Sequence, residues 1–337
     1  MMRNWFAIFL LFTLFSCQSD RLDIKVQGVV FEPIVERLDL EFALAKSRDT
    51  LFLVHNKFAE NHEEFYNFYL GACLQIRLID DSAIVDALYD FVKDPYMIRL
   101  HGEIKNTFPN LDDEVAHLGQ GFSFLAHHFP KATQPTSIIF YNSLFTNSVV
   151  SSENTIGVGI ERYLGEDNPA ILELPEEPFY PYIKKRMDKR FMVRDMMMSW
   201  IGANLLPEIQ DEKELADVMI QWGKHFYVLE ACFPKMEKDK ILRYFPEEYA
   251  WAIKNEKEFW NYLVAQNSLF KRDYKMALNI FSDGPFTSGL PIEDKAPPRL
   301  GQFLGWRIVK KYMNKNKDVS LEQLLQLDFK TIIKSYD

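Results

Sequence analysis

The spacing of apolar residues along the chain predicts a structure made mostly of helices. A period near 3.6 residues is typical of an amphipathic helix with one face in the core. Two early sets of residues follow it: Phe58, Phe65, Phe68 and Tyr69, and Ile84, Leu88, Phe91 and Val92. An acidic first turn predicts a further helix from Leu111 towards Phe124. From residue 178 onward the pattern predicts helices almost to the C-terminus.

The period changes to two residues in the middle of the chain, which indicates strands. Residues 137–141 are predicted to form a buried strand, and Ile156, Val158 and Ile160 alternate with glycine and glutamate in a second one. The two glycines predict that another element packs closely over their face. The connection over 142–154 is rich in serine and asparagine and is expected to be a surface loop. Together these patterns predict one helix-rich α+β domain with a small central sheet.

The N-terminus has the features of a bacterial lipoprotein signal peptide. Arg3 precedes an apolar stretch, Trp5 to Phe15, which is shorter than the about 20 residues that a bilayer-spanning helix needs. The sequence Leu-Phe-Ser-Cys at 14–17 resembles a lipobox, whose cysteine carries the lipid. We therefore predict a signal peptide over 1–16, lipid attachment at Cys17, a lipid-anchored lead-in over 17–56 and a helix-rich α+β domain over 57–337.

Acyl chains on Cys17 would hold the protein on a membrane, since each buried methylene contributes about 0.8 kcal/mol. The sequence contains no later run of 18 apolar residues, which predicts a globular body tethered only by this lipid. Gln18 occupies the position where aspartate would favour retention in the inner membrane. We therefore expect the outer membrane, with its periplasmic face favoured over the cell surface.

Composition and charge exclude several classes of function. The chain is 47% hydrophobic and 15% aromatic, so it can bury a large core, which excludes a disordered protein. Its net charge of −9 has the wrong sign for neutralising phosphates, so nucleic acid is not an expected partner. Besides Cys17 there are two cysteines, Cys73 and Cys232. Either a disulfide or two buried thiols would fit, and buried thiols are favoured.

Common catalytic motifs do not occur in the sequence. None of the seven histidines is four residues from another, so the His-Glu-x-x-His motif of zinc peptidases is missing. His127 and His128 are neighbours, and their side chains would point about 100° apart on a helix, which is unsuitable for sharing a metal. Gly-x-Ser-x-Gly and Gly-x-Gly-x-x-Gly are missing as well. We therefore predict no catalytic residue, metal or cofactor.

Two predicted helices carry unusual residues. Arg194 and Asp195 interrupt the apolar stretch 191–205, and a buried charge is costly unless it is paired. We expect these two residues to pair with each other or with nearby charges such as those of Lys184, Arg186 and Arg299. In the helix predicted from Arg299 to Tyr312, Gly301 and Gly305 form a face of small residues. This face predicts tight helix packing, with a groove for a partner peptide as the alternative.

Several motifs, in this order and spacing, resemble the gliding-motility lipoprotein GldB family of Bacteroidetes. They are Tyr-Leu-Gly-Glu-Asp at 163–167, Tyr-Ile-Lys-Lys-Arg-Met at 182–187, Arg-Asp-Met-Met-Met-Ser-Trp at 194–200, Gly-Lys at 223–224 with Tyr227, Trp-Ala-Ile-Lys-Asn-Glu at 251–256 with Trp260, and Pro-Arg-Leu-Gly at 298–301 with Gly-Trp at 305–306. With the lipobox, the resemblance covers nearly the whole chain.

The resemblance implies an envelope lipoprotein that is required for gliding motility and linked with the type IX secretion apparatus. The implied partners are other gliding or secretion proteins of the envelope, and no activity of its own is implied. The resemblance also implies a fold that is distantly related to the fold of zincin-like peptidases.

On the zincin pattern, Arg194 and Met198 replace the two zinc-binding histidines and Asp195 replaces the glutamate. A guanidinium stays protonated and a thioether is a weak zinc ligand, so the expected fold is a degenerate peptidase scaffold without its metal. Arg299 is expected beside these residues in the relic cleft. A zinc-dependent hydrolase that uses another set of histidines is the alternative function, and an envelope protein that binds small ligands is a third.

Overall fold

The computed structural model describes residues 21–77, 80–210, 213–291 and 296–336. The predicted signal peptide over 1–16 and the lipid-bearing Cys17 lie outside the described residues. Within those ranges the chain forms sixteen α-helices, a few shorter helical turns and a four-stranded sheet. The predicted α+β class, rich in helix and with a small sheet, is confirmed.

The strands are β1 (Ile34–Arg37), β2 (Ser137–Tyr141), β3 (Val149–Ser151) and β4 (Thr155–Gly159). The helices before β2 are α1 (Leu38–Leu44), α2 (Arg48–Asn61), α3 (Glu63–Phe68), α4 (Asp81–Lys93), α5 (Pro95–Thr107) and α6 (Asp112–His128). Those after β4 are α7 (Pro169–Leu172), α8 (Pro181–Lys185), α9 (Met192–Asn204), α10 (Leu215–Cys232), α11 (Lys238–Ile241), α12 (Pro246–Ala265), α13 (Tyr274–Phe281), α14 (Leu300–Lys315), α15 (Leu321–Gln326) and α16 (Phe329–Ile333).

The sheet has the strand order β1-β2-β4-β3. Strands β1, β2 and β4 are parallel, whereas β3 runs antiparallel to β4 at one edge. The segments that follow β2 and β4 therefore begin at the same edge of the sheet, called here the carboxyl edge. The boundary predicted at residue 57 falls inside α2, and β1 comes from the predicted lead-in, so the described part of that lead-in folds with the domain.

The expectation of a surface loop over 142–154 is wrong for much of its length. Residues 149–151 form β3, and Asn142 and Ser143 are almost fully buried at the end of β2. A strand of three residues is too short to show a period of two. Polar residues in such a connection do not reveal whether they face water or bond inside the protein.

The sheet separates two hydrophobic cores, because successive side chains of a strand point to opposite faces. In β2, Ile138 and Phe140 belong to the larger core, while Ile139 and Tyr141 belong to the smaller one with α1 to α4. The ring of Phe65 lies so close to Gly157 of β4 that a Cβ there would overlap it. This confirms the close packing predicted from the strand glycines.

The larger core is centred on α10, a helix buried on nearly every side, which packs along α14. A Cβ on Gly305 would overlap the carbonyl oxygen of Met219, and one on Gly223 would overlap the backbone of Gly305. The small residues thus allow the two helix backbones to touch, as predicted. Cys73 and Cys232 are both buried free thiols, as favoured from the sequence.

The contact between α10 and α14 gives a direct test of this packing. We expect Gly305→Ala to lower the free energy of unfolding by roughly 1–3 kcal/mol, because the added methyl group must push two helix backbones apart. Urea unfolding followed by circular dichroism measures the change.

Gly202→Ala is the matched control, since Gly202 lies on α9 with open space around its Cα. It should leave the stability unchanged or raise it by up to about 1 kcal/mol, the gain in helix propensity. Equal effects of the two substitutions would contradict a backbone contact at Gly305.

Candidate functional site

The predicted relic-cleft residues lie next to the carboxyl edge of the sheet. Strand β4 runs directly into a short 3-10 turn, Ile160–Tyr163, and the Tyr163 hydroxyl donates a hydrogen bond of 3.0 Å to Oδ2 of Asp195. Asp195 stands in the first turn of α9, a helix that packs against β3 and β4. The hydrogen bond therefore fixes the start of α9 against the end of β4.

Asp195 is the acidic centre of this site. Nη1 of Arg194 donates to its Oδ1 at 2.7 Å, and Nε of Arg243 lies 3.3 Å from its Oδ2. Both side chains of the Arg194–Asp195 pair are buried. The expected pairing of these two neighbours is present, but the additional charged partner is Arg243 and not Lys184, Arg186 or Arg299. Both oxygens of the carboxylate are thus engaged.

The Arg194 guanidinium is also held by the backbone of a distant segment. Its Nε and Nη2 both donate to the carbonyl oxygen of Ile241, at 3.2 and 3.0 Å. Burial lowers the pKa of Arg194, and the adjacent Asp195 carboxylate opposes that shift. Arg194 thereby ties α9 to the end of α11, two residues before Arg243.

Arg243 is a site residue that no sequence pattern predicted. It follows α11 in a left-handed backbone conformation, with φ of 55°, which residues other than glycine adopt rarely. Its Nη2 donates to the carbonyl oxygen of Arg186 at 3.3 Å. Neither its conformation nor its contact with Asp195 follows from a local pattern.

The other two predicted residues have different places. Met198 is half-buried and packs against the larger core, one turn of helix after Asp195. Arg299 precedes α14, also with a positive φ of 61°, and its Nη2 donates to the carbonyl oxygen of Arg243 at 2.8 Å. Arg299 therefore belongs to the site through the Arg243 backbone and not through Asp195.

The loop that follows β2 is bonded to the turn that follows β4. Its backbone N–H groups at Ser143 and Phe145 donate to Oε1 of the fully buried Glu161, at 3.0 and 2.8 Å. Burial raises the pKa of Glu161, while the Ser143 hydroxyl and these N–H groups oppose the shift. Arg162 donates to the Phe145 carbonyl oxygen at 2.7 Å, so the turn after β4 holds this loop on both sides.

The chemistry of the side chains around Asp195 does not fit a zinc ion. Guanidinium groups dominate and would repel a divalent cation. In the part of the chain that the structure describes, no three His, Cys, Asp or Glu side chains lie close enough to hold a metal together. What the arrangement can do is join segments by ion pairs and attract negatively charged groups.

Comparison with known protein families supports the resemblance seen in the sequence. The chain matches a family model described as gliding motility protein GldB over residues 19–336. No curated protein and no solved structure matches it.

The Asp195 ion pairs predict a large effect of a single substitution. Asp195→Ala leaves two guanidinium groups without their carboxylate, and breaking a buried pair in this way costs roughly 3–5 kcal/mol. We expect a marked drop in the urea midpoint of unfolding. Arg194→Met in the same chain should restore part of the loss, because it removes one of the uncompensated charges.

Asp188→Ala is the matched control for this experiment. Its carboxylate pairs with Arg190 at 3.1 Å, and both side chains are about one-third exposed. The Asp188 carboxylate also accepts from the Arg190 backbone N–H at 2.9 Å, so the loss there should be about 1–2 kcal/mol, the usual cost of losing an exposed pair together with a cap. A shift no larger for Asp195→Ala than for Asp188→Ala would show that the α9 face is solvated.

Proposed function

The chain belongs to the gliding motility protein GldB family, and from this membership we propose that it is a lipid-anchored envelope protein that supports gliding without catalysis. It acts by binding other envelope proteins of the gliding and type IX secretion machinery. The family supports the motility role. The geometry around Asp195 is the observation that carries the non-catalytic part.

The proposed scaffold is that of a zincin-like peptidase, in which a small sheet is followed by a buried helix that bears the zinc ligands. Helix α9 has this place here, and it is fastened to β3 by a contact of 2.9 Å between the hydroxyls of Ser199 and Ser151. In this register Arg194 and Met198 stand at the ligand positions and Asp195 at the position of the general base.

Asp195 is poorly suited to act as a general base. A base must have a free lone pair within reach of the proton that it removes. Both Asp195 oxygens are instead occupied by Arg194, Arg243 and Tyr163, inside a buried ion pair. The helix position that would serve catalysis in a peptidase therefore serves to hold the fold together.

The proposed location is the outer membrane, with the globular body on the periplasmic side. Among the described helices, none is both long and apolar enough to cross a bilayer. The lipobox at 14–17 supplies the proposed tether, and two buried free thiols are compatible with export to an oxidising compartment.

A zinc assay separates the proposed function from the alternative of a zinc hydrolase. We expect the purified full chain, after incubation with zinc and dialysis, to retain much less than one zinc per chain by atomic absorption. One tightly held zinc per chain, lost on substitution of particular histidines, would contradict the proposal and favour the hydrolase.

The lipid anchor has its own test. We expect Cys17→Ala to move the protein from the membrane fraction to the soluble fraction, because the body would have no other attachment. Cys73→Ala, which changes a cysteine inside the folded body, is the control and should stay with the membranes. The anchor is disproved if Cys17→Ala remains membrane-bound after a high-salt wash.

A further inference from the structure

Three arginines near Asp195 have a buried Nε that makes no hydrogen bond of good geometry within the described ranges: Arg186, Arg243 and Arg299. Nε of Arg243 lies 3.3 Å from Oδ2 of Asp195, and Nε of Arg299 lies 3.6 Å from Oδ1 of Asp283, so these two have only an ion-pair contact. Arg186 and Arg299 are only 4% and 8% exposed. Buried polar groups in proteins nearly always have partners, and an unpaired donor on a charged group is costly. Donors on charged groups that are bonded so incompletely call for a functional explanation.

The three residues form part of a connected group of five, called here the arginine cluster: Arg162, Arg186, Arg194, Arg243 and Arg299. Arg299 donates to the backbone of Arg243, which donates to the backbone of Arg186. The positive charge of Arg243 also lowers the pKa of Arg162, Arg194 and Arg299, adding to the larger effect of burial. Arg243 is thus close to all four other members.

The cluster has more positive than negative charge. Three carboxylates pair with its members: Asp195 with Arg194 and Arg243, Glu248 with Arg186 at 2.6 Å, and Asp283 with Arg299 at 3.6 Å. Glu161 is a fourth carboxylate, whose charge acts on Arg162. Five guanidinium groups thus face four carboxylates, which leaves an excess of one positive charge. This excess lies in a chain whose net charge is −9, so it is a local feature and not a property of the whole surface.

The backbone around the cluster is held in unfavourable conformations. Arg243 and Arg299 both have positive φ, and so do Leu144 and Phe145 in the loop that Arg162 holds. Such conformations are unfavourable for residues other than glycine and occur most often at functional sites, where other contacts maintain them. The cluster also lies beside the carboxyl edge of the parallel strands, which is where open α/β sheets bind ligands.

The cluster can be reached from solvent beside Arg243 and Asp283. The Arg243 side chain is 18% exposed, and Asp283, the partner of Arg299, is 47% exposed. Oδ1 of Asp283 lies 3.6 Å from Nε of Arg299 and accepts a hydrogen bond of 3.1 Å from the neighbouring Gly284 N–H. An incoming anion could therefore replace Asp283 beside Arg299 without breaking the buried Arg194–Asp195 pair.

We propose that the arginine cluster binds the dianionic phosphate of a phosphate monoester, with Arg243 and Arg299 as its main contacts and Asp283 as the carboxylate that it displaces. Guanidinium groups match the geometry of phosphate oxygens through paired N–H donors. With Asp283 displaced from Arg299, five guanidinium groups face three carboxylates, and the two negative charges on the ligand would neutralise the excess of two positive charges. The inference goes beyond the proposed function and does not depend on the result of the zinc assay.

Calorimetric titration of the full lipidated chain in an uncharged detergent tests this proposal. Inorganic phosphate is the probe, at pH 8 and at ionic strength held constant with potassium chloride. We expect saturable binding of about one phosphate per chain. Arg243→Gln should weaken it at least tenfold, because the central guanidinium is lost. Asp283→Asn should strengthen it several-fold, because the competing carboxylate is removed while an amide oxygen can still accept from the Gly284 N–H.

Arg190→Gln is the matched control, since Arg190 is exposed, stacks on Phe245 and lies outside the cluster. It should bind phosphate within twofold of the unsubstituted chain. If Arg243→Gln fails to fold, the gain in Asp283→Asn still decides the question. Binding that is equal in Asp283→Asn and the unsubstituted chain would overturn the proposal.

A second titration distinguishes a free phosphate from a lipid headgroup. The probe is short-chain phosphatidic acid in mixed micelles, with phosphatidylcholine micelles as the control. A response to phosphatidic acid that Asp283→Asn strengthens, together with weak binding of free phosphate, would support the cluster and assign the ligand to a lipid. No saturable binding in either titration would overturn the proposal.

Discussion

The carboxylate of Asp195 joins three parts of the chain that are far apart in sequence. The turn after β4 reaches it through the Tyr163 hydroxyl, α9 through Arg194, and the segment after α11 through Arg243. The Arg243 carbonyl oxygen then receives Arg299 at the start of α14. Since a buried ion pair offsets its desolvation only when its geometry is complete, this network depends on all its members being in place.

The balance of charge around Asp195 suits the binding of anions better than the binding of a catalytic metal ion. A peptidase would concentrate neutral imidazoles and carboxylates there to attract a cation. This chain concentrates guanidinium groups, which stay protonated at any physiological pH. The surrounding field therefore favours anions, although the protein as a whole is acidic. The proposed role in motility through protein contacts and the proposed anion site at the carboxyl edge are compatible, because neither needs a reactive group.

Much of the fold could be predicted because the signals were local. The apolar spacing of α4 reports which face of that helix is buried, the alternation in β4 predicts a strand whose glycines allow close packing, and the fold confirms both. Strand β3 could not be predicted, since three residues carry too little pattern. Asn142 and Ser143 looked like loop residues because their buried partners lie elsewhere in the chain, Glu161 in the case of Ser143.

The candidate site was predictable only where its residues are neighbours in sequence. Arg194 and Asp195 are adjacent charges in an apolar helix, so their pairing follows from the cost of burying either one alone. Arg243 is brought to Asp195 by the tertiary fold. Its left-handed backbone conformation could not be predicted from the sequence, because arginine rarely adopts it. The incompletely bonded Nε donors are likewise a property of the packed structure.

A double-mutant cycle on Asp195 and Arg243 tests most directly whether the shared carboxylate holds the site together. The free energies of unfolding are compared for Asp195→Asn, Arg243→Met and the double variant. Residues in one buried network are coupled by about 0.5–3 kcal/mol, and a value towards the upper end is expected here because the pair is buried. Effects that add within about 0.5 kcal/mol would contradict the account, since independent sites behave in that way.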